Sequence, residues 1–397
     1  MTREIRPPTE DERVEAAEVI RVSLNFSRAF IDDRSSSLPL QDMRCVYEDG
    51  RLVATSGERR FTQRFGGRDL ATSGIWGVAT LPEHRGQGHA SAAVIELLRE
   101  ARDRGDPLTA LYPAVLQPYR MLGYALAGSF VTHDIQLDDL PRYREAVGRV
   151  EVYDGDRDLD GIRACYRRAI APHNGPIDSE DPWWWTDRIL GHWRRDQVHR
   201  VVVIRGDDGV EGYASFVQEP HEGVLDIAFR LACRHLIATT PEAYRSLLAY
   251  VRGFGGVGQA LRFTGRPDDP MSHVVEVQRL AIESNYRWML RLLNVATALE
   301  RRGYPPVSGE IIFAVDDPHF EANRGPWRLV ASDGAVTVEP AASAATTIDI
   351  RALSAMYTGF LAPSDAVRLG WLPPDDRVVP MLTAMFSGPA PFMLDFF

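Results

Sequence analysis

The 397-residue chain has no lysine; all 45 of its basic residues are arginine. It has three cysteines, Cys45, Cys165 and Cys233, far apart and with no CxxC pair. That spacing argues against a disulfide framework or a cysteine zinc site and fits a reducing compartment, so a cytoplasmic location is expected. No apolar run is long enough to span a bilayer. The opening MTREIRPPTEDERVEAAEV lacks the apolar core of a signal peptide. Low-complexity segments and long linkers are also missing. Positive charge is in deficit: 45 arginines stand against 55 acidic residues, a formal net charge of −10. Such a balance argues against a sequence-blind nucleic-acid binder and suits a soluble enzyme with a cationic substrate.

What is present is ordinary globular material, 45% hydrophobic and 25% charged, in a chain long enough for two or three domains. Thr9 and Glu12 have capping-box spacing, and Val14, Ala17, Ile20 and Leu24 follow at helical intervals. A hairpin is expected from Arg44–Tyr47 to Arg51–Thr55, turned at Asp49-Gly50. DLATSGIWGVATL reads as a strand, HASAAVIELLREARDRG as a helix ending near Gly105, and PLTALYP and GSFVTHDIQL as strands. Near residue 140 the order repeats: strand, turn and helix, a hairpin turned at Asp207–Gly209, then strand and helix with Thr240 as N-cap and Pro241 at the first position. From Tyr286 a third block is expected. RWMLRLLNVATALERRGY reads as an amphipathic helix, four strand-like pieces follow, and two more helices precede the apolar end PFMLDFF.

One bend carries chemistry. Between the strand ending in VATL and the helix beginning HASAAV lies Arg85-Gly86-Gln87-Gly88-His89-Ala90, an R-x-x-G-x-A pattern. It is neither a Walker A loop nor a G-x-G-x-x-G fingerprint. A helix N-terminus offers backbone N–H groups without intrahelical partners and a positive dipole end. Glycine lets an anion approach the backbone closely, and an arginine at the mouth can pair with phosphate.

The stretch VATLPEHRGQGHASAAVIELL resembles the coenzyme A pyrophosphate loop of the GNAT superfamily of N-acetyltransferases, with Arg85, Gly88 and Ala90 matching its pattern. The resemblance implies that Arg85, Gly86, Gln87, Gly88, His89, Ala90 and Ser91 hold the pyrophosphate of acetyl-CoA. It places Val78, Ala79 and Thr80 along the pantetheine arm, in the room left by a splayed neighbour in LTALYPA, and Tyr119 and Arg120 near the coenzyme. HRGQG, YRMLGYALAG, RPDDPM, LRLLNVATALERRGY and the apolar aromatic end together resemble the Eis-type (enhanced intracellular survival) acetyltransferases over essentially the whole chain. That family implies an α+β (α/β-like) architecture of tandem GNAT domains followed by a sterol-carrier-like domain. The expected boundaries are 1–142 for the catalytic domain, 143–285 for a second copy without the loop, and 286–397 for the sterol-carrier-like domain. A homohexamer is implied as well. The missing lysines then admit two readings: an enzyme that cannot modify its own lysines, or a GC-rich genome that avoids lysine codons.

Amine acetylation needs a base for the amine, a donor for the oxyanion and a proton for the departing thiolate. A phenol with a pKa of about 10 is protonated at neutral pH. By its residues alone Tyr124 reads equally as a core tyrosine after a turn at Gly123; by the resemblance it is the general acid. The family's base is the chain-terminal carboxylate, which falls on Phe397. Burial would raise that group above its free value of about 3.5, towards useful basicity. The competing reading is that Phe392, Met393, Phe396 and Phe397 merely plug a groove, with Asp395 as an alternative base. Trp183–Trp185 admit a cation cage or plain core. HEGVLD is not HExxH, so no metal site is expected.

The reading is an acetyl-CoA-dependent N-acetyltransferase acting on a small cationic amine by direct attack in a ternary complex, without nucleic-acid or membrane-spanning partners. The alternatives are a non-catalytic acyl-CoA or lipid-binding protein built on the sterol-carrier-like domain, and an acetyltransferase of protein amines.

Overall fold

The computed structural model describes residues 2–143, 148–191, 197–207, 209–222 and 226–397. The chain begins with β1 (Arg3–Arg6), α1 (Arg13–Leu24) and α2 (Arg28–Ser35). The expected capping box is present between Thr9 and Glu12. The stripe that α1 buries is Ala16, Ala17, Val19 and Ile20, while Val14 and Leu24 stay exposed. The buried face keeps Ala17 and Ile20 of the expected stripe and takes Ala16 and Val19 in place of Val14 and Leu24. The hairpin of β2 (Met43–Glu48) and β3 (Arg51–Phe65) turns at Asp49 and Gly50, both with positive φ, as a two-residue primed turn requires. β4 (Arg68–Thr80), α3 (His89–Asp103), β5 (Leu108–Leu111), α4 (Leu116–Met121) and β6 (Ala125–Gln136) follow.

Next come β7 (Val150–Val152), α5 (Gly155–Ile170), the two-residue β8 (Ile177–Asp178), β9 (His199–Gly206), β10 (Gly209–Pro220), β11 (Phe229–Ala238), α6 (Pro241–Arg252) and β12 (Gly258–Gly265). Thr240 caps α6 by accepting from the Ala243 N–H at 3.2 Å. In the expected 207–209 turn, Asp208 lies outside the described residues.

The helix expected over residues 287–304 is a strand followed by a shorter helix: β13 (Ala281–Leu292), then α7 (Val295–Arg301), capped by Asn294 accepting from Thr297 N–H. Trp288 to Leu292 are all buried. A run that is apolar apart from Arg291 fits a strand covered on both faces as well as a helix, so periodicity does not separate the two. The chain ends with β14 (Gly309–Asp316), β15 (Trp327–Ser332), β16 (Ala335–Pro340), β17 (Thr346–Asp349), α8 (Ile350–Thr358), α9 (Pro363–Arg368) and α10 (Val378–Met385).

The chain forms two compact units. The first gathers residues 1–127, 288–388 and Phe397. In it β1 to β4 run antiparallel in order, β5 joins β4 in parallel, and residues 289–292 of β13 pair antiparallel with β5. The same unit holds a four-stranded sheet in the order β16-β15-β14-β17. The second unit gathers residues 128–287 and 389–396. There β7, β9, β10 and β11 are antiparallel, β11 and β12 are parallel, and β12 pairs antiparallel with residues 131–136 of β6. Each unit thus has a parallel pair joined across a helix, β4 and β5 across α3 in the first and β11 and β12 across α6 in the second, which is the repeat visible in the sequence; the four-stranded sheet adds the parallel pair β14 and β17 to the first unit. Among the described residues no helix is long and apolar enough to cross a membrane.

Candidate active site

The parallel pairing of β4 with β5 runs from Thr72↔Leu108 to Ile75↔Leu111 and stops there. β4 continues to Thr80 with no further partner from β5. On its other side β4 pairs with β3 through a register shift, and Gly77 takes a φ of +58° while its carbonyl accepts from the Thr55 hydroxyl at 2.8 Å. The strands therefore open a fork beyond Ile75, and Val78, Ala79 and Thr80 lie on its free arm.

At the end of that arm Pro82–His84 make a short 3-10 turn and the glycine bend follows. Gly86 and Gly88 have φ of +81° and +77°, a left-handed backbone that favours glycine although a Cβ at either would meet nothing within 4 Å. Gly88 is the N-cap of α3, and the first intrahelical bond runs from Ala92 N–H to Gly88 O. The N–H groups of His89, Ala90 and Ser91 thus lack an intrahelical acceptor. Arg85 to Gly88 are exposed, and among the described residues the Arg85 guanidinium reaches only the Ser23 carbonyl, at 3.4 Å. Donors, dipole, glycines and one solvent-facing arginine fit an anion such as a pyrophosphate.

Tyr124 lies at the closed end of the fork. It is fully buried in a cluster with Ile75, Leu98, Leu111 and Met289. The Thr109 hydroxyl donates to Ser73 O at 2.8 Å, so at the 2.8 Å contact between the two hydroxyls Tyr124 is the donor. Burial pushes the Tyr124 phenol well up from its usual value. Tyr119, on α4, meets the Tyr124 ring edge-on at 6.1 Å, and burial raises its phenol to about 12. The Tyr119 hydroxyl has no hydrogen-bond partner among the described residues. Both phenols keep their protons at neutral pH. Arg120 follows on the same short helix, half-buried.

Arg291, which the expected helix concealed, secures the turn between these tyrosines. Its guanidinium is completely buried, bonds both oxygens of Asp317 at 2.8 Å and donates to the Leu122 carbonyl. Gly123 has φ +86°, and a Cβ there would fall 1.6 Å from Arg291 Nη1. The glycine is thus required twice, by its backbone angle and by the arginine packed against it.

The chain end is ordered by its own hydrogen bonds. Within the second unit, Phe392 N–H donates to Asn174 O at 3.0 Å, Met393 N–H to Ser129 O at 2.9 Å, and Ser129 N–H to Pro391 O at 3.2 Å. His235 Nε2 meets Asp395 at 2.9 Å while its Nδ1 meets the Tyr213 hydroxyl at 2.7 Å. The Phe396 ring packs on Phe130 at 4.4 Å. Phe397 belongs to the first unit, where its ring packs against Phe61 at 4.7 Å and Tyr112 at 5.5 Å. A Cβ on Gly74 would fall 2.6 Å from that ring. Gly74 is next to Ser73, whose carbonyl accepts from the Thr109 hydroxyl that Tyr124 bonds, so Tyr124 is linked through Thr109 to the β4 residue that adjoins the one under the Phe397 ring. Two other carboxylates are already engaged: Asp395 by His235, and Glu58, opposite Ile75, by Arg104.

The remaining sequence candidates are structural. Trp184 and Trp185 are core, with Trp185 donating to Ser179 O at 2.9 Å. The three cysteines are buried and unpaired, and burial raises the Cys45 thiol to about 12 and Cys165 to about 11, far from nucleophilic. The side chain of His89, a residue expected in the pyrophosphate bend, is buried beside Glu48 and His84, and these three side chains converge. Their positions, 36 and 41 residues apart from Glu48, carry no local signal that sequence reasoning could have used.

Comparison with known proteins follows the same outline. Residues 4–127 match the model of an acetyltransferase (GNAT) domain, residues 177–292 match a second acetyltransferase (GNAT) domain model, and residues 295–394 match a sterol carrier protein domain. An uncharacterized N-acetyltransferase from Streptomyces avermitilis is 29% identical over 388 residues, covering 93% of this chain and 91% of that protein. The N-acetyltransferase Eis of Mycobacterium tuberculosis is 25% identical over 347 residues, covering 82% of this chain and 81% of its own. A crystal structure of a GCN5-related N-acetyltransferase from Kribbella flavida superposes with a TM-score of 0.85 at 26% identity, over 100% of this chain and 98% of that one.

Proposed function

We propose that the chain, which carries two matches to acetyltransferase (GNAT) domains and one to a sterol carrier protein domain, is an N-acetyltransferase of the Eis type that acetylates a primary amine of a small cationic acceptor by direct attack on acetyl-CoA in a ternary complex. The acceptor class is aminoglycoside-, polyamine- or lysine-like. The observation that carries this reading is the fork beyond Ile75, with an anion-binding bend at one end and both Tyr124 and Phe397 at the other. In the proposed assignment Arg85 and the backbone of Gly86, Gln87, Gly88, His89, Ala90 and Ser91 hold the pyrophosphate. Val78, Ala79 and Thr80 line the pantetheine arm, and Tyr119 and Arg120 lie by the coenzyme.

The chemistry follows from those positions. The amine nitrogen attacks the thioester carbonyl, forming the C–N bond, and its proton goes to the Phe397 carboxylate. The C–S bond then breaks, and the leaving sulfur receives a proton from Tyr124. A second reading gives that proton to Tyr119, and one observation favours it: the Tyr119 hydroxyl is unengaged whereas Tyr124 donates to Thr109. The chain works in the cytoplasm as a homohexamer in this proposal. Its acidity, −10 overall, attracts a cationic acceptor.

The test is thiol release from acetyl-CoA against a panel of amines, with protein carrying no C-terminal tag. Release that requires both amine and enzyme is the expected result. Acetyl-CoA binding without release from any small amine would overturn the small-acceptor reading.

A further inference from the structure

Glu48 closes β2, His84 closes the 3-10 turn, and His89 opens α3. The histidines therefore stand at the two ends of the exposed stretch Arg85–Gly88, and the carboxylate faces both from the neighbouring strand. Glu48 Oε2 lies 3.0 Å from His84 Nδ1 and 3.8 Å from His89 Nε2. The imidazole rings are 6.1 Å apart, centroid to centroid. One donor atom from each of the three residues falls within 4.8 Å of the others.

His89 makes this more than a surface ion pair. It is 4% exposed, and both its ring nitrogens are buried with no hydrogen-bond partner among the described residues. An unsatisfied buried polar group costs on the order of 1–3 kcal/mol, so such a group calls for a partner. An imidazole nitrogen with no hydrogen-bond partner offers its lone pair to a metal. Arg3 bonds the Gly88 carbonyl at 3.1 Å, and Arg51 is engaged by Glu83 at 3.2 Å.

We propose that Glu48, His84 and His89 form a divalent transition-metal site that ties β2 to both ends of the glycine bend. Two imidazoles and one carboxylate are a zinc-type donor set. Bonds of about 2.0–2.2 Å need the donors to close together. The Glu48 and His84 side chains, 16% and 18% exposed, have room to do so by rotation. A cation there holds residues 84 and 89 at a fixed separation and so holds the bend in its anion-binding shape. That consequence, unlike the site itself, rests on the coenzyme reading of the bend.

The full-length protein, stripped with a chelator, is titrated with Zn2+ against a chromophoric competitor and, separately, with Co2+ while the visible spectrum is recorded. The expected result is one Zn2+ per chain, a rise in melting temperature on adding Zn2+, and a Co2+ spectrum of nitrogen and oxygen ligation. In Glu48→Gln and His84→Asn, Zn2+ affinity falls on the order of tenfold or more, while the metal-free variants melt with metal-free wild type. Wild type and both variants binding Zn2+ with equal affinity, or not at all, would overturn the site. A second arm measures coenzyme A binding with and without Zn2+. Tightening in wild type but not in His84→Asn supports the coupling. Failure of coenzyme A to bind at all would sink the reading of the bend and leave the zinc titration standing.

Discussion

Replacing Asp317 with alanine isolates a guanidinium that nothing else can neutralise. Arg291 is wholly buried, and both of its bonds to a carboxylate, each 2.8 Å, go to Asp317. Asp317 also accepts from His319 N–H at 3.0 Å, Phe320 N–H at 3.2 Å and Asn323 Nδ2 at 2.9 Å. Removing one partner of a buried pair costs about 3–5 kcal/mol, because the other charge is left unpaired. At about 2–4 °C per kcal/mol for a unit of this size, the melting temperature should fall by roughly 6–20 °C. Circular dichroism during a thermal ramp measures it. The double replacement Arg291→Met with Asp317→Leu should recover much of the loss, since a packed apolar pair avoids the desolvation. The effect also depends on pH. Burial pushes the Asp317 carboxyl up, but Arg291 and its hydrogen bonds outweigh that and hold it below its ordinary value. A depressed folded pKa contributes stability that is present above the unfolded value of about 3.9 and is lost as pH falls through the folded one. The gap between wild type and Asp317→Ala should therefore narrow below about pH 4. A drop of less than about 2 °C at neutral pH would refute the assignment of this pair as the anchor of the Gly123 turn.

Four further substitutions probe the site. Gly74→Ala places a Cβ 2.3 Å from the Phe61 ring and 2.6 Å from the Phe397 ring. It should cost about 1–3 kcal/mol by overpacking and lower kcat with little change in the acetyl-CoA KM; unchanged kcat would separate the chain end from catalysis. Gly88→Ala meets no atom within 4 Å but must hold φ near +77°. The left-handed penalty of about 1–2 kcal/mol should appear as a raised acetyl-CoA KM, and an unchanged KM would count against the bend as the pyrophosphate site. Tyr124→Phe and Tyr119→Phe, compared by kcat and by coenzyme A affinity, identify the proton donor. The proposed assignment has the Tyr124 variant lose kcat at constant affinity, and the opposite ranking moves the role to Tyr119.

What the sequence revealed and what it hid have separate physical causes. The glycine bend, the capping box of the turn that leads into α1, the cap of α6, and the Asp49-Gly50 hairpin were legible because each is set by local backbone chemistry, with partners at most three residues away. The fork was expected from the resemblance alone, since the end of a parallel pairing leaves no mark in either strand. β13 was misread as helix because a strand buried on both faces has no alternation. With it went Arg291, whose partners Leu122 and Asp317 are 169 and 26 residues away. Half of the α1 face was legible, Ala17 and Ile20, while Val14 and Leu24 gave way to Ala16 and Val19. The surroundings of the His89 side chain were hidden because Glu48 and His84 join it only through the turn between β4 and α3.

The central claim is that the terminal carboxylate of Phe397 takes the proton from the amine. The most direct measurement compares thiol release by the untagged protein with that of a version extended by a few residues past Phe397. The account predicts that the extension abolishes turnover while melting temperature and coenzyme A binding stay as they were. An extended protein that turns over at the native rate would contradict it.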